Sequence, residues 1–239
     1  MGALYPLPEN QPEEVHENNT AEREAFIKKV PTSTGFVVGE TEDHLDVLTC
    51  AHPLSHVFDS ENPIAPQRIG DLYQTAILCD HCESKFRSRT HKTRKSVPAV
   101  VHKINCKKDL LLVRVPNGIL RKSCRAAHPP LLLASRFPGP LERTVMLSWP
   151  PFRPRTACVG ETSCEGRRYS DVSLGNPNSY TMDLSEVSIL ADKGSSGAPL
   201  LNGDRDVVGA LHGGEKSSLC YFISLDDIRI CLTEWGVIK

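Results

Sequence analysis

The sequence predicts an all-β fold: two β units of about a hundred residues each, closed by a C-terminal helix. Three observations carry this. Short apolar runs recur along the 239 residues, and some alternate with a period of two. Pro (18) and Gly (16) are frequent and spread along the chain, which suits many short strands joined by turns better than a helical bundle. Helical periodicity is confined to the last few residues.

Residues 1–22 carry Pro6, Glu9, Pro12, Glu13, Glu14, Glu17 and Glu22 among polar neighbours. They hold too little apolar surface to offset the entropy of ordering, so an acidic, disordered tail is expected. Residues 23–118 form the first β unit. Gly35-Phe36-Val37-Val38 is a compact apolar run, and His44-Leu45-Asp46-Val47-Leu48-Thr49 alternates polar and apolar. The turn residues 39–43 between them make the pair a hairpin. Ala76-Ile77-Leu78, residues 97–101 and residues 110–115 continue the series. A Pro-rich connector occupies 119–130, and the second β unit covers 131–239. Its strand signals are Leu131-Leu132-Leu133, Val145-Met146-Leu147, Val187-Ser188-Ile189-Leu190, residues 207–211 and Tyr221-Phe222-Ile223. In the closing helix Ser224 is the cap and Asp227, three residues on, makes a short capping box. Ile228, Cys231, Leu232 and Trp235 then follow helical spacing.

Charge excludes little. Lys and Arg (28) nearly balance Asp and Glu (29). No apolar run reaches the roughly 18 residues of a membrane span, so no membrane association is expected. The start lacks a basic segment followed by an apolar one, so no signal peptide is expected. Nine cysteines, an odd number at irregular spacing, read as free thiols in the cytoplasm or nucleus. Cys79 and Cys82 form half of a zinc site, which Cys106 with His91 or His102 would complete; free thiols on a loop are the simpler reading, so no metal is expected. Lys85, Arg87, Arg89, Lys92, Arg94 and Lys95 make a basic loop over 85–95. Its default reading is a solvated loop. It is the one hint of nucleic acid, which is not the expected partner.

Three segments carry chemistry together: Thr49-Cys50-Ala51-His52, Asp109-Leu110-Leu111-Leu112 and Gly194-Ser195-Ser196-Gly197-Ala198-Pro199. A serine hydroxyl is a poor nucleophile until an imidazole takes its proton. A carboxylate must hold that imidazole in the right tautomer. The tetrahedral oxyanion needs preorganised donors, which a tight glycine-containing loop supplies. The order His, Asp, Ser along the chain is one of the arrangements that meets these needs.

On these motifs the sequence resembles the chymotrypsin-like, or trypsin-like, serine peptidases, in the group that includes the HtrA/Deg proteases and the glutamyl endopeptidases. The resemblance spans roughly residues 26–239. It implies two antiparallel six-stranded β-barrels with a C-terminal helix and an active site in the cleft between them. It implies a serine endopeptidase acting on polypeptides without a cofactor. His52 would be general base and then general acid, Asp109 its orienting carboxylate, and Ser196 the nucleophile. The N–H groups of Gly194 and Ser196 would form the oxyanion hole. Leu190 would lie near the base of the specificity pocket, and His212, Gly213 and Gly214 would wall it and pair with substrate.

Some positions depart from the family pattern. Ser195, in place of Asp, argues against activation by N-terminal clipping. Cys50 stands where a small residue is usual, and Ala198 replaces a glycine. Leu190 argues against a pocket for Arg or Lys, and His212 could favour acidic or amide side chains. A rival expectation is a catalytically inactive module of the same fold that binds extended peptides or partner proteins.

Overall fold

The computed structural model describes residues 2–6, 32–59, 62–79, 95–151, 153–173, 176–214 and 219–239. The first β unit holds β1 (Gly2–Pro6), β2 (Thr32–Ser33), β3 (Phe36–Glu40), β4 (His44–Cys50), β5 (Tyr73–Cys79), β6 (Lys95–Asn105) and β7 (Leu110–Pro116). They form one antiparallel sheet in the order β2-β1-β5-β6-β7-β4-β3. Its two outermost strands, β2 and β3, are separated only by Thr34 and Gly35, so the sheet curls back on itself. The expected six-stranded barrel is thus a seven-stranded curled sheet. The extra strand, β1, corrects the expected tail at residues 2–6. The apolar trio Ala3-Leu4-Tyr5 pairs with Ala76, Thr75 and Gln74 of β5, satisfying backbone groups on both strands. The rest of the tail lies outside the described residues.

The second unit closes as expected. Strands β8 (Arg143–Ser148), β9 (Thr156–Arg168), β10 (Asp183–Ser188), β11 (Pro199–Leu201), β12 (Val207–Gly214) and β13 (Leu219–Ser224) form a six-stranded barrel in the order β10-β13-β12-β11-β8-β9. The expected strand over 187–190 begins earlier, at Asp183, and ends at Ser188. Leu131-Leu132-Leu133 forms no strand. It runs as a strap between the units: Leu131 donates to the Val37 carbonyl (2.9 Å), and Val207 donates to that of Leu132 (2.7 Å). A short helix, Asn117–Ser123, runs from the end of the first unit into the connector.

Strand β7 shows how the units are joined. Leu111, Val113 and Val115 pack into the core of the first sheet with Leu45, Val47 and Val101. Leu110 and Leu112, on the opposite face, pack with Phe36, Val38, Met182, Leu184, Val207 and Ile223 between the units. Leu110–Val113, buried on both faces, reads in sequence as an unbroken apolar run, which Arg114 then interrupts. Met146, Val187, Leu200, Val208 and Phe222 fill the second barrel.

The closing helix, Leu225–Glu234, is capped as predicted: Ser224 Oγ accepts the Asp227 N–H (3.2 Å). The Asp227 carboxylate has another use. It accepts the Asp183 N–H (2.8 Å) and pairs with Lys108 Nζ (2.7 Å), so it ties the helix to β10 and to the β6–β7 turn. Ile228, Cys231 and Leu232 are fully buried beneath it. Among the described residues no helix is long and apolar enough to cross a membrane.

Candidate active site

Strand β4 ends at Cys50, and a single 3₁₀ turn, His52–Leu54, follows at once with Pro53 fixing its start. This places His52 at the rim of the first unit. Asp109 ends the β6–β7 turn at φ 54°, a left-handed conformation that aims its side chain under the end of β4. The carboxyl is completely buried. Its Oδ1 accepts the N–H groups of Ala51 (2.9 Å) and His52 (2.6 Å). Its Oδ2 lies 2.8 Å from His52 Nδ1 and 2.5 Å from His212 Nδ1.

Burial by itself would raise the Asp109 pKa, but the two imidazoles pull it well below the ordinary carboxylate range. An ionised carboxylate only accepts, so both Nδ1 atoms donate to it. That fixes the tautomer of neutral His52 and leaves its Nε2 lone pair facing Ser196 Oγ, 3.0 Å away. Burial acts to lower the His52 pKa; the neighbouring Cys50 thiol and the charged, hydrogen-bonded Asp109 carboxylate carry it well above the usual imidazole value. The Cys50 thiol is buried behind this pair, and burial pushes its pKa up, so it stays protonated at neutral pH.

The loop between β10 and β11 presents the serines. Gly194 (φ +90°) and Gly197 (φ +79°) adopt conformations that side chains rarely tolerate. At Gly197 a Cβ would also stand 2.3 Å from the Thr34 carbonyl oxygen and 2.4 Å from Thr49 Oγ1. This close approach is the reason for the glycine. Ser195 and Ser196 point to different places. Ser195 is fully buried and its Oγ accepts the Asp192 N–H (3.3 Å), so it shapes the loop. Ser196 is half-buried and faces His52. The N–H groups of Gly194 and Ser196 have no acceptor among the described residues.

Thr34, between β2 and β3, clamps this loop to the first unit. Its N–H donates to the Ser196 carbonyl (2.8 Å) and its hydroxyl to the Gly194 carbonyl (2.9 Å), while Oγ1 accepts the Trp149 N–H (3.0 Å). Nothing in the sequence marks this residue beyond a polar run before a strand. Thr34→Val keeps the shape and removes the hydroxyl, leaving the part-buried Gly194 carbonyl and Trp149 N–H without it. We expect a loss of about 2 kcal/mol, read as a fall of about 4–8 °C in Tm by calorimetry. An unchanged Tm would show the clamp to be idle.

His212 is the largest departure from expectation. The resemblance puts it on the pocket wall; instead its Nδ1 is bound to Asp109. A register shift between Leu211 and Gly213 takes it out of the β12–β13 ladder. Its ring meets His52 (centroids 5.2 Å), Tyr169 (5.4 Å) and Tyr180 (5.3 Å) edge to face. No local sequence signal marks such a turn. Gly213 and Gly214 lie on β12 opposite Tyr221 and Cys220, and space is open above Gly213. Leu190 is 70% exposed, which does not fit a place at the base of a pocket. Cys79 ends β5, whereas Cys82 and loop residues 85–94 lie outside the described residues.

No curated protein matches the chain in sequence. Its fold recurs in solved structures. The Rv3671c protease from M. tuberculosis, in its active form, superimposes with a TM-score of 0.62 at 16% identity, over 100% of this chain and 81% of that one. The inactive form of Rv3671c protease gives 0.58 at 18% identity, over 85% and 83%. Deg5 gives 0.55 at 16% identity, over 90% and 95%. At these identities the likeness shows the fold alone. The family model for the trypsin-like peptidase domain matches residues 33–209, the span that contains His52, Asp109 and Ser196. The chain belongs to the trypsin-like peptidase domain family.

Proposed function

We propose that the chain is a serine endopeptidase that hydrolyses polypeptides through Ser196, His52 and Asp109. One observation carries the reading: an unbroken relay runs from Ser196 Oγ to His52 Nε2 (3.0 Å) and from His52 Nδ1 to Asp109 Oδ2 (2.8 Å). Both are hydrogen-bond distances; the first carries the proton transfer and the second holds the imidazole in place. Ser196 Oγ attacks the scissile carbonyl carbon as its proton passes to His52 Nε2. The carbonyl π electrons move onto oxygen, where the Gly194 and Ser196 N–H groups, which have no other acceptor among the described residues, stabilise the charge. The C–N bond then breaks, and the departing amine takes the proton from Nε2. Water repeats the sequence on the acyl-enzyme and frees Ser196. Asp109 keeps its own charge throughout and stabilises the imidazolium.

The reading places the enzyme in a reducing compartment, cytoplasm or nucleus, where thiols such as Cys50, Cys106, Cys158, Cys164, Cys220 and Cys231 stay outside disulfides. It needs no cofactor, membrane or nucleic acid.

A fluorophosphonate serine probe tests it. The wild-type chain and Ser195→Ala are expected to label, and Ser196→Ala is not. Absence of labelling of the folded wild type across pH 6–9 would refute the proposal in favour of an inactive binding module.

A further inference from the structure

Cys50 makes and breaks no bond in the chemistry above, yet it stands against it. Its sulfur, a ring nitrogen of His52 and a carboxylate oxygen of Asp109 all lie within 4.8 Å of one another. Nδ1 is the ring nitrogen on that side, since it faces Asp109 Oδ2 while Nε2 faces Ser196. We propose that Cys50 Sγ, His52 Nδ1 and Asp109 Oδ2 form a binding site for a thiophilic divalent cation of the zinc class, and that the bound ion switches Ser196 off. The switching half rests on the serine-peptidase reading; the binding half does not.

The donor set is the one zinc prefers: a thiolate, an imidazole and a carboxylate, with a fourth position open to water. Cys50 and Asp109 are buried, so an ion there must be neutralised locally. A thiolate and a carboxylate do this for a dication. Zinc ligands at about 2.0–2.3 Å from the metal stand about 3.3–3.8 Å apart, so the His52–Asp109 contact opens slightly and the thiol swings in. The His52 side chain, 26% exposed against 0% for Asp109, is the solvent-facing member and gives the ion its way in. Asp109 is already oriented from outside the site, through the Ala51 and His52 N–H groups on Oδ1 and His212 Nδ1 on Oδ2. Such outer contacts hold a ligand carboxylate in place.

The proton balance gives the consequence. Neutral His52 carries its proton on Nδ1. When the ion takes the Nδ1 lone pair, that proton moves to Nε2, and the Cys50 thiol releases its own proton to solvent. Nε2–H can then donate to Ser196 Oγ but cannot accept from it. The base is lost because the imidazole is held in the wrong tautomer.

The test uses the full chain stripped of metal with a chelator. Zn²⁺ is expected to slow fluorophosphonate labelling of the wild type by at least about tenfold, with recovery on adding chelator. In Cys50→Ala the ratio of labelling rates without and with Zn²⁺ is expected to fall to within about twofold of unity. Independently of catalysis, Cd²⁺ added to Ser196→Ala is expected to give a thiolate-to-metal ultraviolet band, one thiolate of which is missing once Cys50→Ala is added. Calorimetry in buffers of different ionisation enthalpy is expected to show proton release that depends on Cys50. Equal zinc inhibition in the wild type and Cys50→Ala, or a Cd²⁺ band unaffected by Cys50→Ala, overturns the site. If Cys50→Ala fails to fold, Cys50→Ser replaces it with the same expected losses. A metal-free wild type that does not label sinks the peptidase reading alone, and the Cd²⁺ band then decides the binding site.

Discussion

Asp109→Asn is expected to slow phosphonylation of Ser196 by about 10⁴ while the protein stays folded. The reason lies in the four donors that converge on this side chain: the Ala51 and His52 N–H groups on one oxygen, and the two imidazole Nδ1 atoms on the other. An asparagine offers one oxygen and one NH₂. With the oxygen kept on the backbone donors, the NH₂ faces both imidazoles and requires an acceptor from each. His52 must then carry its proton on Nε2, where Ser196 needs a lone pair. The nucleophile and its distance to His52 are unchanged; only the tautomer is wrong. Circular dichroism should show a native fold, and labelling should show the loss. A loss below tenfold would remove Asp109 from the orienting role.

The residues of this relay were legible in sequence because each lies inside a short contiguous motif whose meaning is local. Strands β3, β4 and β7 are legible as strands for a similar reason, although the alternation of β4 implies one solvent face and the fold buries both, with Asp46 held on an ion pair with Arg114. What stayed hidden depends on distant partners. Strand β1 is a short apolar segment that becomes a strand by pairing with β2 and β5, both distant along the chain. Strand β9, with Glu161, Thr162, Ser163 and Glu165, is polar and largely exposed, so its place in the barrel rests on pairing with β8 and β10 and not on an apolar face. The helix Pro66–Leu72 has no side-chain cap and buries only Ile69, which leaves almost no periodic signal. His212 needed a change of strand register to reach Asp109, and Asp227 found its partners on two other elements. For Asp227 the local pattern offers only a capping box, and for His212 the resemblance offers only a pocket wall, because neither a local pattern nor a motif displays distant partners.

Activity and stability are expected to respond to pH in opposite directions at this site. His52 accepts the Ser196 proton only when neutral, and its pKa is held well above the ordinary 6.5. The labelling rate should therefore fall about tenfold per pH unit on the acid side, with a midpoint above 6.5. Stability follows the charged pair. A folded-state pKa raised for His52 means a contribution that is complete below the unfolded value of 6.5 and is lost as pH rises through the folded value. A folded-state pKa lowered for Asp109 means a contribution present above its unfolded value of 3.8 and lost as pH falls below it. Between those two values the His52–Asp109 pair stabilises the fold most and the base is protonated, so the protein should be firm and inactive there. As pH rises further the pair weakens and the nucleophile is released. His212 sharpens the test, because it shares Asp109 Oδ2 with His52. His212→Phe keeps an aromatic ring against Tyr169 and Tyr180 but removes the second donor. The whole carboxylate charge then falls to His52, and the activity midpoint should move to still higher pH. A midpoint at or below 6.5 in the wild type, or one that His212→Phe leaves in place, would mean that the buried carboxylate does not govern the base.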